Sequence, residues 1–380
     1  MEEKKVLARL TGLVGELDSL KDFRVQGRTK HPLKTVVAIA IASTASVGDG
    51  YTQMEDFARR HEEFLKERLP MPNGVPSHDT FRRVISRLNA KMLERILSRW
   101  LTRQCGGLGG ELVALDGKTL RRSAGEGGEA PHVENSWCDA LGTALAREAV
   151  DEKSNEITAA PRILDRLGPM LEGAVVMTDA MCCQKKIARQ VRSLGAHYVF
   201  ALKENQGALY AESERFLEFI PEFEERPWTA AVQLDKGHGR IEKRTYRASA
   251  MVEWLDGAEL WPDLASLVVV DSERTIKGAT TAERRFYISS LPADAETLAP
   301  LIRRYWCIEN RLHHVLDVVF REDYSRARTL NAALNKAVMR QVALTLLGRN
   351  SERGYGKKRM KENCTMDIAL LWRTITGEPA

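Results

Sequence analysis

The spacing of apolar residues changes character after residue 105. Up to that point they recur every three or four positions, the period of helices that bury one face. Residues 33–47 form one apolar helical stretch, and 52–67 a second with charged faces. After the loop RLPMPNGVPSHD (68–79), Phe81, Val84, Ile85 and Leu88 fall at i, i+3, i+4 and i+7, while Arg82, Arg83 and Arg87 lie off that line. Ser77 stands where an N-cap for this helix belongs, with Asp79 in its first turn. Asn89 opens a further helix in which Met92, Ile96, Leu97 and Trp100 face inward. The glycines of CGGLGG (105–110) interrupt the pattern and mark a boundary.

Beyond the boundary, short apolar runs alternate with helical segments. Strands are predicted at 111–115, 173–180 and 197–203, and helices at 157–167 and 184–194. That alternation implies a central sheet with parallel members. Residues 229–291 are β-rich, with RIEKRTYRASA, LASLVVVD and RRFYISSL as separate runs. A long helix follows over about 295–320, then more helix at 331–348 and a basic, irregular tail. Pro300 is tolerated only if it lies in the first turn of its helix.

Two of the strands end in an acid, LVAL at Asp116 and VVMT at Asp179. In an open sheet with parallel strands, chemistry collects at the carboxyl ends of the strands. An aspartate there is also an ordinary turn-former or helix cap. Two carboxylates brought together repel, and one keeps its proton unless a cation intervenes. Mg²⁺ takes oxygen ligands of this kind, and a pair of such ions about 3.5–4 Å apart serves in-line phosphoryl displacement. A third acid is then needed. Glu309 in YWCIENRLHH lies close to the line of Tyr305, Leu316 and Val319, where a carboxylate is costly unless paired or metal-bound. The alternative is a flank glutamate paired to Arg303 or Arg311. Glu322, Asp323 and Asp317 are rival acids. His313 and Asp317 have a metal-compatible i, i+4 spacing without a matching cluster elsewhere. Cys182 and Cys183 read as buried small hydrophobes, and Trp306 as a core residue or a base-stacking one.

The segments ALDGKTLRRS, VDEKSNEITAAPRIL, VVMTDAMCCQKKIA, YVFALKENQGAL, DKGHGRIEKR and YWCIENRLHHVLDVVFREDYSRAR, with PNGVPSHDTFRRVISRL before them, occur in this order. Together they resemble the H-repeat-associated insertion-sequence transposases, DDE transposases with a ribonuclease H-like core. The resemblance implies an α/β fold with a ribonuclease H-like mixed sheet flanked by helices. It implies a helical N-terminal domain over 1–105, a catalytic domain over 106–345 with a β-rich insertion at about 207–291, and a basic tail over 346–380. The 130-residue interval between Asp179 and Glu309 leaves room for that insertion.

Carried over by motif, the family's catalytic and metal-binding acids fall on Asp116, Asp179 and Glu309, with two Mg²⁺ ions as cofactor and Mn²⁺ as a substitute. Gly117 would let the backbone turn after Asp116. Lys118, Arg121 and Arg122 would offset phosphate charge, as would Lys203, Arg303, Arg304 and Arg311. His238 and Arg240 of KGHGR are further DNA contacts on the insertion. The implied activity is cleavage of transposon ends and strand transfer into target DNA. The partners are double-stranded DNA and a second copy of the chain, as a homodimer on DNA. Two other readings stay open: a decayed relative that only binds DNA, and a nuclease that cuts without joining. HVENSWCDALGTAL (132–145) sits where the family has an apolar strand, and Glu134, Asn135, Ser136 and Asp139 predict a weakened one.

Charge adds to this picture. The net charge is only +5, but residues 301–361 carry 14 Lys and Arg against 5 Asp and Glu, a basic C-terminal third suited to a polyanion. Six cysteines with no CxxC pair argue against a zinc ribbon or a disulfide scaffold. The apolar stretch at 35–48 falls short of the roughly 20 residues a membrane span needs. No signal-peptide layout opens the sequence, so a bacterial cytoplasmic location, on the nucleoid when DNA is bound, is expected.

Overall fold

The computed structural model describes residues 13–25, 27–103, 105–124, 128–150, 156–219, 228–237, 239–349 and 354–377. Nine strands occur among them: β1 (Leu112–Thr119), β2 (His132–Cys138), β3 (Thr143–Val150), β4 (Val175–Thr178), β5 (His197–Leu202), β6 (Trp228–Gly237), β7 (Arg240–Ser249), β8 (Ser266–Ile276) and β9 (Ala279–Ser289). The chain divides into two compact units. The first holds residues 1–106, 117–155 and 309–380, and the second 107–116 and 156–308. Strand β1 passes from the second unit into the first between Asp116 and Gly117.

The second unit is built on a mixed sheet with strand order β1-β4-β5-β9-β8-β7-β6. Strands β1, β4 and β5 are parallel, and β9, β8, β7 and β6 continue as antiparallel neighbours. The parallel strands are almost wholly buried, which explains their near-continuous apolar sequences. The Lys185–Ser193 helix crosses from β4 to β5. The Ala295–Tyr305 helix places Ala295, Leu298, Ala299 and Ile302 in one buried cluster with Met177, Val199, Val268 and Tyr287 of the sheet. This is the mixed sheet of parallel strands and flanking helices expected above, and the interval before Glu309 is filled by a four-stranded meander.

In the first unit, the Leu33–Thr44 and Ala332–Arg349 helices are buried on nearly all sides, as helices without a polar face must be. The His78–Arg87 and Ala90–Arg103 helices each bury one stripe. Both begin where the capping residues predicted: Ser77 Oγ accepts from the Thr80 N–H at 3.4 Å, and Asn89 Oδ1 from the Met92 N–H at 2.9 Å. The antiparallel β2–β3 hairpin belongs to this unit.

Several expectations need correction. β1 does not stop at Asp116 but runs on to Thr119, so Gly117 lies within a strand and makes no turn. Only its pairing with β4 ends there, at Leu115 opposite Thr178. β2 forms despite Glu134, Asn135 and Ser136, all of which are buried, with one register irregularity between Ser136 and Trp137. Its polar side chains have partners: the Ser136 hydroxyl pairs with the Ala146 backbone, and Asn135 accepts from Arg147 Nε at 2.7 Å. A buried polar group with a partner avoids the desolvation penalty that the pattern implied. The segments TALAREAV (β3) and WTAAVQLDKG (β6) are strands that the apolar pattern did not reveal. The helix expected over 295–320 is interrupted. It ends at Tyr305, Ile308–His313 forms a π-helical turn, and an α-helix resumes at His314–Val318. Pro300 sits inside the first of these helices rather than in its first turn. The tail carries two helices, Lys357–Met366 and Ile368–Thr376, the second capped by Asp367.

Candidate active site

In the second unit, Leu115 of β1 pairs in register with Thr178 of β4. The next residues are Asp116 and Asp179. Both follow directly on the last β1–β4 pair, at the carboxyl edge of the parallel strands. Both residues are half-buried. Burial is the largest influence on Asp179 and raises its pKa. The nearby Glu156 carboxylate raises it further, while the Cys182 N–H, donating to Asp179 Oδ1 at 3.2 Å, and Lys203 oppose the shift. Glu156 opens the Glu156–Leu167 helix. It brings a carboxylate oxygen to Asp179, and with Cys182 Sγ these ligand atoms all lie within 4.8 Å of one another. Sequence reasoning missed Glu156, although its place in SNEITAA, at the head of an amphipathic helix, was the available signal.

A cavity of about 690 Å³ opens beside Asp179 and is lined by Lys203, Asn205, Tyr210, Arg284 and Arg285 among others. Two side-chain amides after β5 tie down the segment that follows Asp179. Asn205 Nδ2 donates to the Ala180 carbonyl at 2.6 Å and Gln206 Nε2 to the Cys183 carbonyl at 2.9 Å. Cys183 is buried, and burial pushes its thiol well above the usual range, which leaves it protonated and unreactive.

The helix leading toward Glu309 is tied to the strand that carries Asp116. The Tyr305 hydroxyl donates to the Leu115 carbonyl at 3.1 Å. Tyr305→Phe removes this bond, and a loss of about 1 kcal/mol of stability is expected, readable as a lower urea midpoint with an unchanged slope.

Glu309 lies on the π-helical turn, in the first unit. Turns of this kind occur often at functional sites because the extra residue re-aims side chains. Its carboxylate accepts from His313 Nδ1 at 3.1 Å. That bond is the largest influence on Glu309 and lowers its pKa, with further help from the charges of Lys118 and His314. His313 is almost fully buried, and its Nε2 faces Asn135 Nδ2 at 3.4 Å. Asn135 in turn accepts from Arg147. The ring thus bridges the two groups, with Nδ1 toward Glu309 and Nε2 toward the Asn135 amide. The strand residue that reads as a defect in sequence is therefore part of a relay that orients the glutamate.

The rival acids are otherwise engaged. Asp317 holds Lys118 Nζ between both its oxygens, at 2.8 and 2.7 Å. Asp323 lies 3.9 Å from Lys118 and 3.7 Å from Arg121. Glu322 is buried between Arg340 and Arg147.

A family model described as "Transposase DDE domain" matches residues 110–346, and one described as "DDE_Tnp_1-associated" matches residues 14–101. This chain belongs to the H-repeat-associated DDE transposases. The H repeat-associated putative transposase YhhI of Escherichia coli K12 is 32% identical over 97% of this chain and 98% of its own length. A Xanthobacter autotrophicus protein encoded in the dhlA 3′ region is 39% identical over 70% of this chain and 89% of its own length. Among solved structures, a chain of the piggyBac transposase synaptic complex with hairpin DNA aligns over 98% of this chain and 78% of that one, at 11% identity and a TM-score of 0.44.

The basic residues expected to meet DNA in this DDE transposase occupy varied settings. Arg121 and Arg122 are exposed, Arg122 lying over the Tyr324 ring. Lys203 is exposed at the rim of the cavity. Lys118 is largely buried on Asp317. Arg240 pairs loosely with Glu242, Arg303 with Asp235, Arg304 with Glu111 and Arg311 with Asp139. His238 lies outside the described residues. Trp306 is 41% exposed beneath the Arg285 guanidinium, so it is not the core residue that its size suggested. Among the described residues, no helix is long and apolar enough to cross a membrane.

Proposed function

We propose that this chain cuts the ends of its own element and joins them to target DNA by metal-dependent phosphoryl transfer, with Asp116, Asp179 and Glu309 as the metal-holding acids. The supporting observation is that Asp116 and Asp179 each follow the last residue paired between parallel β1 and β4, Leu115 opposite Thr178. The donor set fits a hard divalent cation. It consists of carboxylate oxygens, and Asp179 is charge-crowded by Glu156 in a way that a cation relieves. When bound, a pair of Mg²⁺ ions, or Mn²⁺ in their place, supplies Lewis-acid stabilisation of the attacking and leaving oxygens.

The chain's own residues do the rest. The β1–β4 edge fixes two carboxylates on rigid strands, and His313 holds the third acid ionised. Lys203, Arg284 and Arg285 line the cavity beside Asp179 and would meet the negative charge of a DNA strand. After the first cut, the 3′-hydroxyl left on the element's end attacks a target phosphodiester in the same site. Two ends must be held together for this, so a dimer on DNA is the working assembly.

The test uses the purified full chain, a plasmid carrying both ends of the element, and Mg²⁺. Nicks at the ends together with joined products support the reading. Cuts without joined products would assign a nuclease, and neither product would assign a DNA-binding relative without catalysis. Glu156 carries a separate expectation. Glu156→Gln removes charge next to Asp179 and should weaken Mn²⁺ binding by about 10-fold or more, measured from the free-Mn²⁺ signal in electron paramagnetic resonance. An unchanged affinity would remove Glu156 from the metal centre.

A further inference from the structure

The first unit carries a second concentration of positive charge, in its N-terminal helical region. A cavity of about 470 Å³ lies between the irregular stretches 23–25 and 27–31 and the His78–Arg87 helix. Arg24, Arg28 and Lys30 line it from these stretches, and Arg83 and Arg87, one helical turn apart, line it from the helix. No carboxylate is among the lining residues. Arg24 is paired to Asp22 at 2.7 Å. Arg28, Lys30, Arg83 and Arg87 have no ion-pair partner among the described residues. His31 also lines the cavity. It is only 8% exposed, and its Nδ1 makes no hydrogen bond among the described residues.

Uncompensated cations held together repel one another, and a buried ring nitrogen without a partner costs free energy. A fold keeps such an arrangement when a ligand completes it. The ligand must be anionic, because five cations face one space. It must also be extended, because the cations stand on two walls and continue along a helix face.

We propose that this cleft seats the phosphodiester backbone of duplex DNA, as a binding site distinct from the acids and their metal. The choice of DNA over another polyanion rests on the transposase reading above. Phosphate contacts position a protein on DNA without reading its sequence, so the cleft anchors the duplex, and the proposal gives the N-terminal region a role in holding it.

The test measures binding of the full chain to a fluorescent mixed-sequence duplex of about 30 bp, in EDTA, over a range of KCl concentrations. Arg28→Gln/Arg87→Gln is compared with a charge-matched control, Arg60→Gln/Lys66→Gln, on exposed positions outside the cleft. For two lost phosphate contacts the log–log salt slope should fall by about 1.8, and Kd at about 0.1 M salt should rise roughly tenfold. The control should keep the wild-type slope, and thermal melting should show both variants folded. His31→Phe, which keeps the ring but not the nitrogens, should weaken binding a few-fold.

An unchanged slope in the cleft variant overturns the proposal, as does an equal fall in the control. A wild-type chain that binds no duplex overturns it together with the DNA reading. Binding in EDTA does not depend on cleavage, so the expected slope change together with no cleavage in the separate Mg²⁺ assay would sink the catalytic reading alone and leave the cleft standing.

Discussion

Asp116→Asn and Asp179→Asn are each expected to lower Mg²⁺-dependent cleavage of the element's ends by about 10³-fold, with duplex binding in EDTA within twofold of wild type. The substitution keeps size and shape and removes only the charge. At position 179 the amide oxygen can still accept the Cys182 N–H that Oδ1 accepts at 3.2 Å, so the loop after β4 stays in place. Stability separates this from damage to the fold. Burial raises the Asp179 pKa, so its ionised form is disfavoured in the folded chain. A raised carboxylate contributes stability below its unfolded pKa, and that contribution is lost as pH rises through the folded value. At neutral pH the aspartate therefore costs stability that asparagine does not. Asp179→Asn should melt at the same temperature as wild type or higher while being inactive. An inactive variant that melts lower would point to structural damage, and an active one would remove Asp179 from the chemistry.

The second large effect is expected at Glu322, away from the metal acids. Its side chain is fully buried, with Oε1 3.5 Å from Arg340 Nη1 and 4.0 Å from Arg147 Nη1. Burial lowers the Arg147 pKa, and the charge of Glu322 opposes that shift. Arg340 has a second partner, since its Nη2 reaches Asp49 Oδ2 at 2.5 Å, so the loss falls mainly on Arg147. Arg147 keeps the lesser influence of Glu94, so removing Glu322 leaves its buried charge only partly compensated, at a cost toward the lower end of the about 3–5 kcal/mol of a broken buried pair. Glu322→Ala should accordingly shift the urea midpoint by a large part of the chain's stability. The double variant Arg147→Met/Glu322→Leu should recover most of it, because apolar replacement of a whole buried pair is often neutral. If the single change costs less than about 1 kcal/mol, the pair is not the buried anchor its geometry implies. Arg147 also holds Asn135, and through it His313 and Glu309. The single variant should therefore lose cleavage even under conditions where it remains folded.

Much of the second unit was legible in the sequence. The runs LVAL and VVMT end at their acids because strands buried on both faces must be apolar throughout, and the first polar residue then marks where pairing stops. The meander was legible as an interval too long for one strand and one helix. Two strands, one in each unit, were not. β3 and β6 carry alanines and charges, so no run of large apolar residues marks them, and they are strands because a partner pairs with them. The tail's Lys357–Met366 helix was likewise hidden by a composition rich in lysine.

The amino-acid sequence by itself determined the order of the acids, the helical N-terminal region, the parallel strands with their crossover helices and the family, because periodicity and motif order are properties of neighbouring residues. Tertiary structure alone decided which polar groups have partners. Asn135 meets His313 across 178 positions, Lys118 meets Asp317 across 199, and the cations of stretches 23–25 and 27–31 share a cavity with those of the His78–Arg87 helix. A polar residue in an apolar strand is costly or useful according to what lies against it, and no local pattern encodes contacts made at such separations.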